Sequence, residues 1–409
     1  MSKTRIIFVD DEPSVLEGLR RMLRRQRNEW EMTFVSSGAD ALAAIGERPF
    51  DVIVTDLRMP GMGGDELLQK VFEEYPDTAR IVLTGHASSE LATGALKLAH
   101  QYLAKPVDSD NLKQAVARAC AVQQTVSDER IRAAVGGCDA LPTLPSLYAE
   151  ITQAAESQTA NAKTLAQIIS RDMAMSAKLL QLVNSSFFGI GRRVSSIEQA
   201  VALLGMVRIK ALVLSESIFK QFALPKKTAG LSVDGLWAHS LLVADVARNI
   251  SREEGQGGDR PDQAFTAGVL HDVGKLILMS RQTDAFEAIL NRAQALRAPL
   301  WLIEMDVFGV THAQIGAYLL NLWGLPPRIA EAVELHHTPS SIAYDGLCAL
   351  TVVHAANALV GEQEKPEPSG AASCALDMTY LRRTGLEHRH ERWREIAAET
   401  CEKAMEAEA

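Results

Sequence analysis

Short apolar runs alternate with helical patterns along the first 120 residues. Each run is continuously apolar, which is typical of strands whose two faces are both covered. Repeated strand–helix units predict a parallel, doubly wound sheet, because parallel neighbours are joined by crossovers that usually contain a helix. Five runs qualify as strands: residues 6–9, 32–35, 52–54, 81–83 and 102–104. We therefore expect an N-terminal α/β domain with a five-stranded parallel sheet.

The pattern changes after a charged and then glycine-rich stretch at residues 127–139. Beyond it, apolar residues recur at helical spacing and no strand-like run is found, which predicts an all-α domain. We expect a first domain over residues 4–122, a linker helix over 123–137, a helical domain over 138–342 and a helical C-terminal extension over 343–409. A polar stretch near 361–372 is expected to be a mobile insert in that extension.

Composition limits the function classes. The formal net charge is 42 minus 51, or −9, which disfavours coating of nucleic acid or of an anionic membrane. No apolar run approaches the length of a membrane helix, so we expect no membrane insertion. The five cysteines form no CxxC pair and are expected to stay reduced, as in a cytoplasmic protein. The arginine-rich run at residues 20–27 lies on the first predicted helix and is interpreted as a solvated face.

Acidic residues fall at the ends of two predicted strands. Asp10 and Asp11 follow the first strand and Asp56 follows the third. Since the carboxyl ends of parallel strands line one crevice, three carboxylates should meet there, and oxygen ligands of this kind suit Mg²⁺. Thr84 and Lys105 follow the fourth and fifth strands. Together these groups form a set suited to accepting a phosphoryl group, with one carboxylate as the nucleophile.

This part of the chain resembles a response-regulator receiver domain, with a flavodoxin-like fold. The matching segments are Val-Asp-Asp-Glu-Pro at 9–13, Thr-Asp-Leu-Arg-Met-Pro-Gly-Met at 55–62, Leu-Thr-Gly at 83–85 and Lys-Pro at 105–106. The resemblance implies that Asp56 takes a phosphoryl group from the phosphohistidine of a cognate sensor histidine kinase. It also implies roles for the neighbours. Mg²⁺ would be bound directly by Asp11, Asp56 and the backbone carbonyl of Arg58, with Asp10 acting through water. Lys105 would hold the phosphoryl group. Thr84 and Tyr102 would change position in the switch.

Five histidines of the second domain occur in contexts that suit a metal site. They are His239, His271, His312, His336 and His337, with Asp272 directly after His271. Nitrogen and carboxylate ligands from several helices could hold a divalent ion. Taken singly, a histidine on an apolar helix is more often a hydrogen-bonded core residue, so both interpretations stay open at this stage.

Residues 138–342 resemble the HDOD domain, a catalytically degenerate relative of the HD phosphohydrolases. The matching segments are Leu-Pro-Thr-Leu-Pro at 141–145, Leu-Val-Asn-Ser-Ser-Phe-Phe-Gly at 182–189, the stretch 195–205, and Trp-Gly-Leu-Pro at 323–326. An HD hydrolase would require a final aspartate where this chain has Asn357, and an amide is a poorer ligand than a carboxylate. A cyclic-dinucleotide phosphodiesterase of this superfamily would carry a Gly-Tyr-Pro loop after its paired histidines, whereas this chain reads His-His-Thr-Pro-Ser-Ser at 336–341.

The combined resemblance implies a phosphorylation-controlled response regulator of a two-component phosphorelay. The helical domain would pass the signal on by protein–protein interaction, with a downstream signalling protein such as a cyclic-dinucleotide enzyme as the partner; a homodimer is compatible with this interpretation. The first alternative is a receiver-controlled, metal-dependent phosphodiesterase acting on a cyclic dinucleotide. The second is a transcription factor, against which the acidic charge and the missing basic recognition helix both count.

Overall fold

The structure is a computed structural model. It describes residues 3–75, 78–84, 99, 101–105, 107, 112–113, 115–116, 131, 134, 144–156, 161–184, 188, 194–221, 227–228, 231–342, 346–364 and 374–405. The chain divides into two compact units. The first contains residues 1–132, 136–157 and 320–325, and the second contains 133–135, 158–319 and 326–409. Most of the predicted linker helix lies outside the described residues, and the predicted domain boundaries stay a prediction.

The first unit is built on a five-stranded parallel sheet, as predicted. Its strands are β1 Thr4–Val9, β2 Trp30–Val35, β3 Val52–Asp56, β4 Ala79–Thr84 and β5 Gln101–Ala104. They lie in the order β2-β1-β3-β4-β5, and every neighbouring pair is parallel. Each predicted strand is present. The central strands are nearly free of exposed side chains, which explains why their sequences show no alternation of polar and apolar residues.

Three helices of this unit are described beside the sheet: α1 Pro13–Met22, α2 Gly38–Glu47 and α3 Gly64–Glu74. A short 3-10 turn follows α1 at Arg24–Asn28. One apolar cluster joins α1 to β1 and a second joins α2 and α3 to the opposite face. The sheet therefore has an apolar layer on both faces, as a doubly wound fold requires. A further helix, α4 Ser146–Glu156, also belongs to this unit.

The rest of the chain is predominantly helical, as predicted. Its described helices are α5 Ala162–Ile169, α6 Met173–Val183, α7 Ile197–Leu204, α8 Met206–Gln221, α9 Val233–Glu253, α10 Arg260–Leu270, α11 Val273–Arg281, α12 Thr283–Leu296, α13 Leu300–Phe308, α14 His312–Leu322, α15 Pro327–Leu335, α16 Ala349–Gln363, α17 Met378–Arg383 and α18 His390–Met405. Single 3-10 turns occur at Pro339–Ser341 and Glu387–Arg389. In the part of the chain that the structure describes, no helix is both long and apolar enough to cross a bilayer.

Two details differ from the prediction. The helical region contains a two-residue antiparallel pairing between β6 Lys227–Thr228 and β7 Leu231–Ser232, which is too short to give an alternating sequence pattern. The predicted mobile insert near 361–372 begins within a helix, because α16 continues to Gln363. Residues 365–372 of that insert lie outside the described residues.

The centre of the helical unit is formed by α9, α10 and α16, which pack against one another. Helix α16 is buried along 11 consecutive residues from Leu350 to Val360. Close packing of α10 on α9 depends on Gly268, because a Cβ atom there would lie 2.9 Å from the backbone nitrogen of Ala244. His239 lies on α9 and His271 directly follows α10, so the tight contact of these helices brings chemical groups from distant parts of the chain together.

Candidate functional site

The acidic residues of the first unit meet at the carboxyl edge of the sheet, as predicted from their positions. Asp10 follows β1 directly, and Asp56 is the last residue of β3. Ligand oxygens of Asp10, Asp11 and Asp56 lie within 4.8 Å of one another. Asp10 is fully buried, so its charge is shielded little by solvent.

Lys105 links two of these carboxylates. Its Nζ lies 2.7 Å from Asp10 Oδ2 and 2.6 Å from Asp56 Oδ2. Burial opposes the charge on Lys105, but the hydrogen bonds to Asp10 and Asp56 outweigh it and raise the pKa of the lysine above its ordinary value. One ammonium group faces three carboxylates, which leaves an excess of negative charge that a divalent cation would balance.

The backbone holds Asp56 in position. The amide of Leu57 donates to Asp56 Oδ1 at 2.6 Å, and the amide of Arg58 approaches the same oxygen at 3.4 Å. Gly64, at the start of α3, donates to the carbonyl oxygen of Leu57 at 2.9 Å. A Cβ atom on Gly64 would overlap the carbonyl oxygen of Asp56 and lie 2.8 Å from Leu57 Cα. Because residue 64 has no side chain, the loop after β3 can fold back against Asp56.

The structure places Thr84 at the end of β4 and Tyr102 within β5. Their side chains lie outside the described residues, so the predicted switch stays a prediction. Arg58 is exposed at the edge of the pocket. The geometry thus brings together Asp10, Asp11, Asp56 and Lys105, four of the predicted groups.

The histidines of the helical unit converge on Asp272. Two groups of ligand atoms form, each within 4.8 Å: Asp272 with His312, His336 and His337, and Asp272 with His239 and His271. Asp272 is therefore shared by both groups. His271, His312 and His336 are fully buried, and Asp272 is 1% exposed. All six residues predicted for this site are brought together.

Hydrogen bonds on the far side of the rings orient the buried imidazoles. His271 Nδ1 donates to the carbonyl oxygen of Gly268, and His336 Nδ1 donates to that of Val333, both at 2.7 Å. A carbonyl can only accept, so each Nδ1 carries the proton and each Nε2 of the neutral ring keeps a free lone pair. Among the described residues, neither buried Nε2 atom has a hydrogen-bond partner. Outer hydrogen bonds with inward lone pairs are the usual arrangement of metal-binding histidines.

The charge states agree with this arrangement. Burial lowers the pKa of His271, and it lowers the pKa values of His336 and His337 well below the ordinary range, so these rings are neutral. Burial alone would raise the pKa of Asp272, but nearby positive charge, including the ammonium group of Lys275, holds it well below its ordinary range. Lys275 Nζ donates to Asp272 Oδ2 at 2.6 Å. The site thus holds an ionised carboxylate beside three neutral imidazoles, those of His271, His336 and His337, which fits a divalent transition metal.

Two glutamates orient His312 and His239. His312 Nδ1 lies 2.7 Å from Glu304 Oε2, and burial opposes a charge on His312 while Glu304 raises its pKa. His239 Nδ1 lies 3.0 Å from Glu364 Oε1, and burial again opposes the charge while Glu364 raises the pKa of the ring. Asn357 Oδ1 lies 3.0 Å from His239 Nε2. The side-chain amide of Asn357 therefore already contacts Nε2, the ring nitrogen of His239 that faces the site.

Comparison with known protein families agrees with both units. The model of the response regulator receiver domain matches residues 6–117, and the model of the HDOD domain matches residues 141–339. The chain joins a receiver domain to an HDOD domain.

Several relatives match only part of the chain. The chain is 36% identical over 125 residues to the hydrogenase transcriptional regulatory protein HoxA of Cupriavidus necator, covering 30% of this chain and 25% of HoxA. It is 32% identical over 130 residues to the response regulator protein PilR of Pseudomonas aeruginosa, covering 32% of this chain and 29% of PilR. The crystal structure of an HDOD domain protein from Geobacter sulfurreducens superimposes with a TM-score of 0.52 at 23% identity, covering 65% of this chain and 91% of the other, which shows the shared fold. The chain spans only 25–38% of the length of the first curated relatives that it matches.

Several residues of the HDOD site were missed by the sequence reasoning. Glu304 and Glu364 orient site histidines, and Trp301 stacks on His337 with ring centroids 5.9 Å apart. His354 is also buried: its Nδ1 donates to the carbonyl oxygen of His336, and its Nε2 accepts from the amide of Asp377. Both of its nitrogens are engaged, so His354 supports the site without facing it. The one available signal was the spacing of Glu364, seven residues after Asn357 and thus two helical turns further on.

We expect Gly274→Ala to destabilise the HDOD domain by about 1–3 kcal/mol, because the new methyl group would be forced into a packed backbone contact. A Cβ atom at residue 274 would overlap the carbonyl oxygen of His312 and lie 2.9 Å from the amide nitrogen of Gly316. Urea-induced unfolding followed by circular dichroism measures the change. Gly257→Ala is the matched control, because nothing lies within 4 Å of that position. Equal stability of the two variants would contradict the packing argument.

Proposed function

We propose that this protein is a phosphorylation-controlled response regulator in which Asp56 accepts a phosphoryl group from a sensor histidine kinase. The observation that carries the proposal is the pair of hydrogen bonds from Lys105 to Asp10 and Asp56. They place the ammonium group of Lys105 beside Asp56, which is the last residue of a central strand. Asp56 is partly accessible, with 14% of its side chain exposed. A nucleophile needs such access, whereas the buried Asp10 lacks it.

In the proposed transfer, a carboxylate oxygen of Asp56 attacks the phosphorus of the phosphohistidine. The new P–O bond forms as the P–N bond breaks, and the imidazole leaves with the bonding electron pair. Lys105, whose Nζ lies 2.6 Å from Asp56 Oδ2, would exchange that carboxylate contact for one with a phosphoryl oxygen. Asp10, Asp11, Asp56 and the carbonyl of Arg58 would hold Mg²⁺, which supplies charge neutralisation for phosphoryl transfer when it is bound.

We further propose that the HDOD domain transmits the signal through contact with a downstream signalling protein. The receiver supplies the phosphorylation input, and a helical domain offers surfaces for partner proteins. A cytoplasmic location suits the free thiols at Cys348, Cys374 and Cys401, since disulfides are rare in that compartment.

Asp56→Asn is expected to abolish labelling by a small phosphodonor such as acetyl phosphate in the presence of Mg²⁺, because an amide cannot act as the carboxylate nucleophile. Mass spectrometry of the intact protein measures the added phosphoryl group. Asp65→Asn is the matched control, since Asp65 is an exposed carboxylate on the adjacent helix α3. Labelling that persists in Asp56→Asn would show that another residue accepts the phosphoryl group.

A second candidate function, a metal-dependent phosphohydrolase, is favoured by the sharing of Asp272 between two groups of histidines. A carboxylate between two sets of donors could bridge two divalent ions, an arrangement used to activate water on phosphate esters. The contact of Asn357 with His239 counts against it, because a neutral amide stands where hydrolases of the HD superfamily would have a carboxylate. We therefore place metal binding ahead of hydrolysis for this site.

We expect the purified protein to bind Mn²⁺ or Zn²⁺ at the HDOD site and to lose that binding in His271→Ala and Asp272→Asn. His354→Gln is the matched control, because His354 is buried beside the site with both nitrogens already engaged. Elemental analysis after dialysis, together with calorimetric titration, measures the bound metal. Metal content that is unchanged in both site variants would contradict the ligand assignment. Hydrolysis of a cyclic dinucleotide that is abolished by His271→Ala would favour the second candidate over the first.

A further inference from the structure

Strand β2 forms one edge of the receiver sheet. The amide of Thr4 donates to the carbonyl of Glu29, and the amide of Asp10 donates to the carbonyl of Val35. In a parallel pair only alternate residues of a strand face its neighbour, so the odd-numbered residues of β2 face β1. The backbone groups of Trp30, Met32 and Phe34 therefore point away from the sheet. Within the described part of the chain, no strand pairs with this outer edge.

A groove follows the same edge. It has a volume of about 610 Å³. Its lining residues are Lys3, Arg20, Arg27, Trp30, Glu31, Met32 and Phe34. The three even-numbered strand residues in this set are those whose backbone groups point outward. The groove therefore offers unused backbone hydrogen-bonding groups together with side-chain contacts, which is the combination that binds an added strand.

The groove is positively charged near both ends of β2. Arg20 lies over the ring of Phe34, 5.0 Å from its centroid. At the start of the strand, Lys3 Nζ donates to the carbonyl oxygen of Arg27 at 2.7 Å, which places the two basic residues side by side. The opposite ends of β2 therefore each carry at least one cation.

The acidic groups near the groove leave this charge largely uncompensated. The carboxylate of Glu31 is engaged by Arg48 at 2.9 Å and by Arg5 at 4.0 Å. Glu17 approaches Arg20 at 3.8 Å, but both side chains are about half exposed, so this pair contributes little. A ligand for the groove should therefore carry negative charge.

We propose that the outer edge of β2 binds an extended, acidic peptide segment of a partner protein, which adds a sixth strand to the receiver sheet. Trp30 and Phe34 are four residues apart, or about 13 Å along a strand. Two carboxylates at positions i and i+4 of the partner lie on the same face of the added strand and match the basic groups at the two ends. The residue between them, at i+2, is apolar and lies beside Met32.

A second copy of this chain is a poorer occupant of the same edge. Pairing of β2 with β2 would bring two sets of Lys3, Arg20 and Arg27 together, and like charges placed opposite one another destabilise a strand pair. A nucleic acid would satisfy the charge but not the backbone groups of the strand. Of these three occupants, the acidic extended peptide alone satisfies both features of the groove.

The test uses the full-length protein and a fluorescein-labelled peptide, Thr-Glu-Thr-Val-Thr-Glu-Thr, with binding followed by fluorescence anisotropy. The expected result is saturable binding that is weakened about fivefold by Arg20→Ala and by Arg27→Ala, which corresponds to the loss of one exposed charge pair each. Arg21→Ala is the matched control, because Arg21 is an exposed arginine of the same helix that does not line the groove. Its affinity should stay within twofold of the parent protein.

Two further probes separate the outcomes. A peptide with lysine in place of glutamate, and one with the two glutamates adjacent so that they face opposite sides, should each bind more weakly. Hydrogen–deuterium exchange should show that the amides of Met32 and Phe34 become protected by the acidic peptide. Equal binding of all three peptides, or binding without amide protection, would overturn the proposal. Tighter binding of an oligothymidylate that is lost in the same arginine variants would assign the groove to nucleic acid instead.

Discussion

Repulsion between carboxylates at the ends of parallel strands is the constraint on which the receiver site depends. The sheet order places the ends of β1 and β3 side by side, so the carboxylates of Asp10, Asp11 and Asp56 lie close together. Lys105, which follows β5, relieves part of that repulsion through its contacts with Asp10 and Asp56. The pocket keeps an excess of negative charge. Binding of a cation or attachment of a phosphoryl group therefore changes its electrostatic potential strongly.

The HDOD site is under a comparable constraint, because it buries polar and charged side chains close to one another. Burying several imidazoles beside Asp272 would leave polar atoms without partners unless each ring were fixed by a second contact. The carbonyl oxygens of Gly268 and Val333 provide that contact for His271 and His336. The result is a set of oriented nitrogen lone pairs around one ionised carboxylate. The site opens to solvent on the side of His239 and Glu364, whose side chains are 15% and 32% exposed.

Much of this arrangement could be predicted from the sequence because it depends on local patterns. All five strands of the receiver were located from continuous apolar runs, and the acidic residues meet because parallel strands share one carboxyl edge. The grouping of the predicted HDOD histidines with Asp272 followed from the order of motifs in the chain. The two-residue pairing of β6 with β7 was missed, because two residues cannot show a period.

The supporting residues could not be predicted in the same way. Glu304 lies on a mostly apolar helix that also carries Asp306, and its burial against His312 is set by how α13 packs. Glu364 contacts His239 across 125 residues of chain, so this contact depends on how α16 packs against α9 rather than on local spacing. The groove along β2 depends on which strand forms the sheet edge, and that depends on strand order rather than on the sequence of β2 itself.

In the proposed function, a phosphoryl group on Asp56 changes the state of the HDOD domain. Hydrogen–deuterium exchange of the full-length protein, with and without beryllofluoride and Mg²⁺, tests it most directly, since beryllofluoride stands in for the phosphoryl group on Asp56. We expect altered exchange in α9–α16 of the parent protein and unaltered exchange in Asp56→Asn. Changes confined to the receiver, or equal changes in the variant, would contradict it.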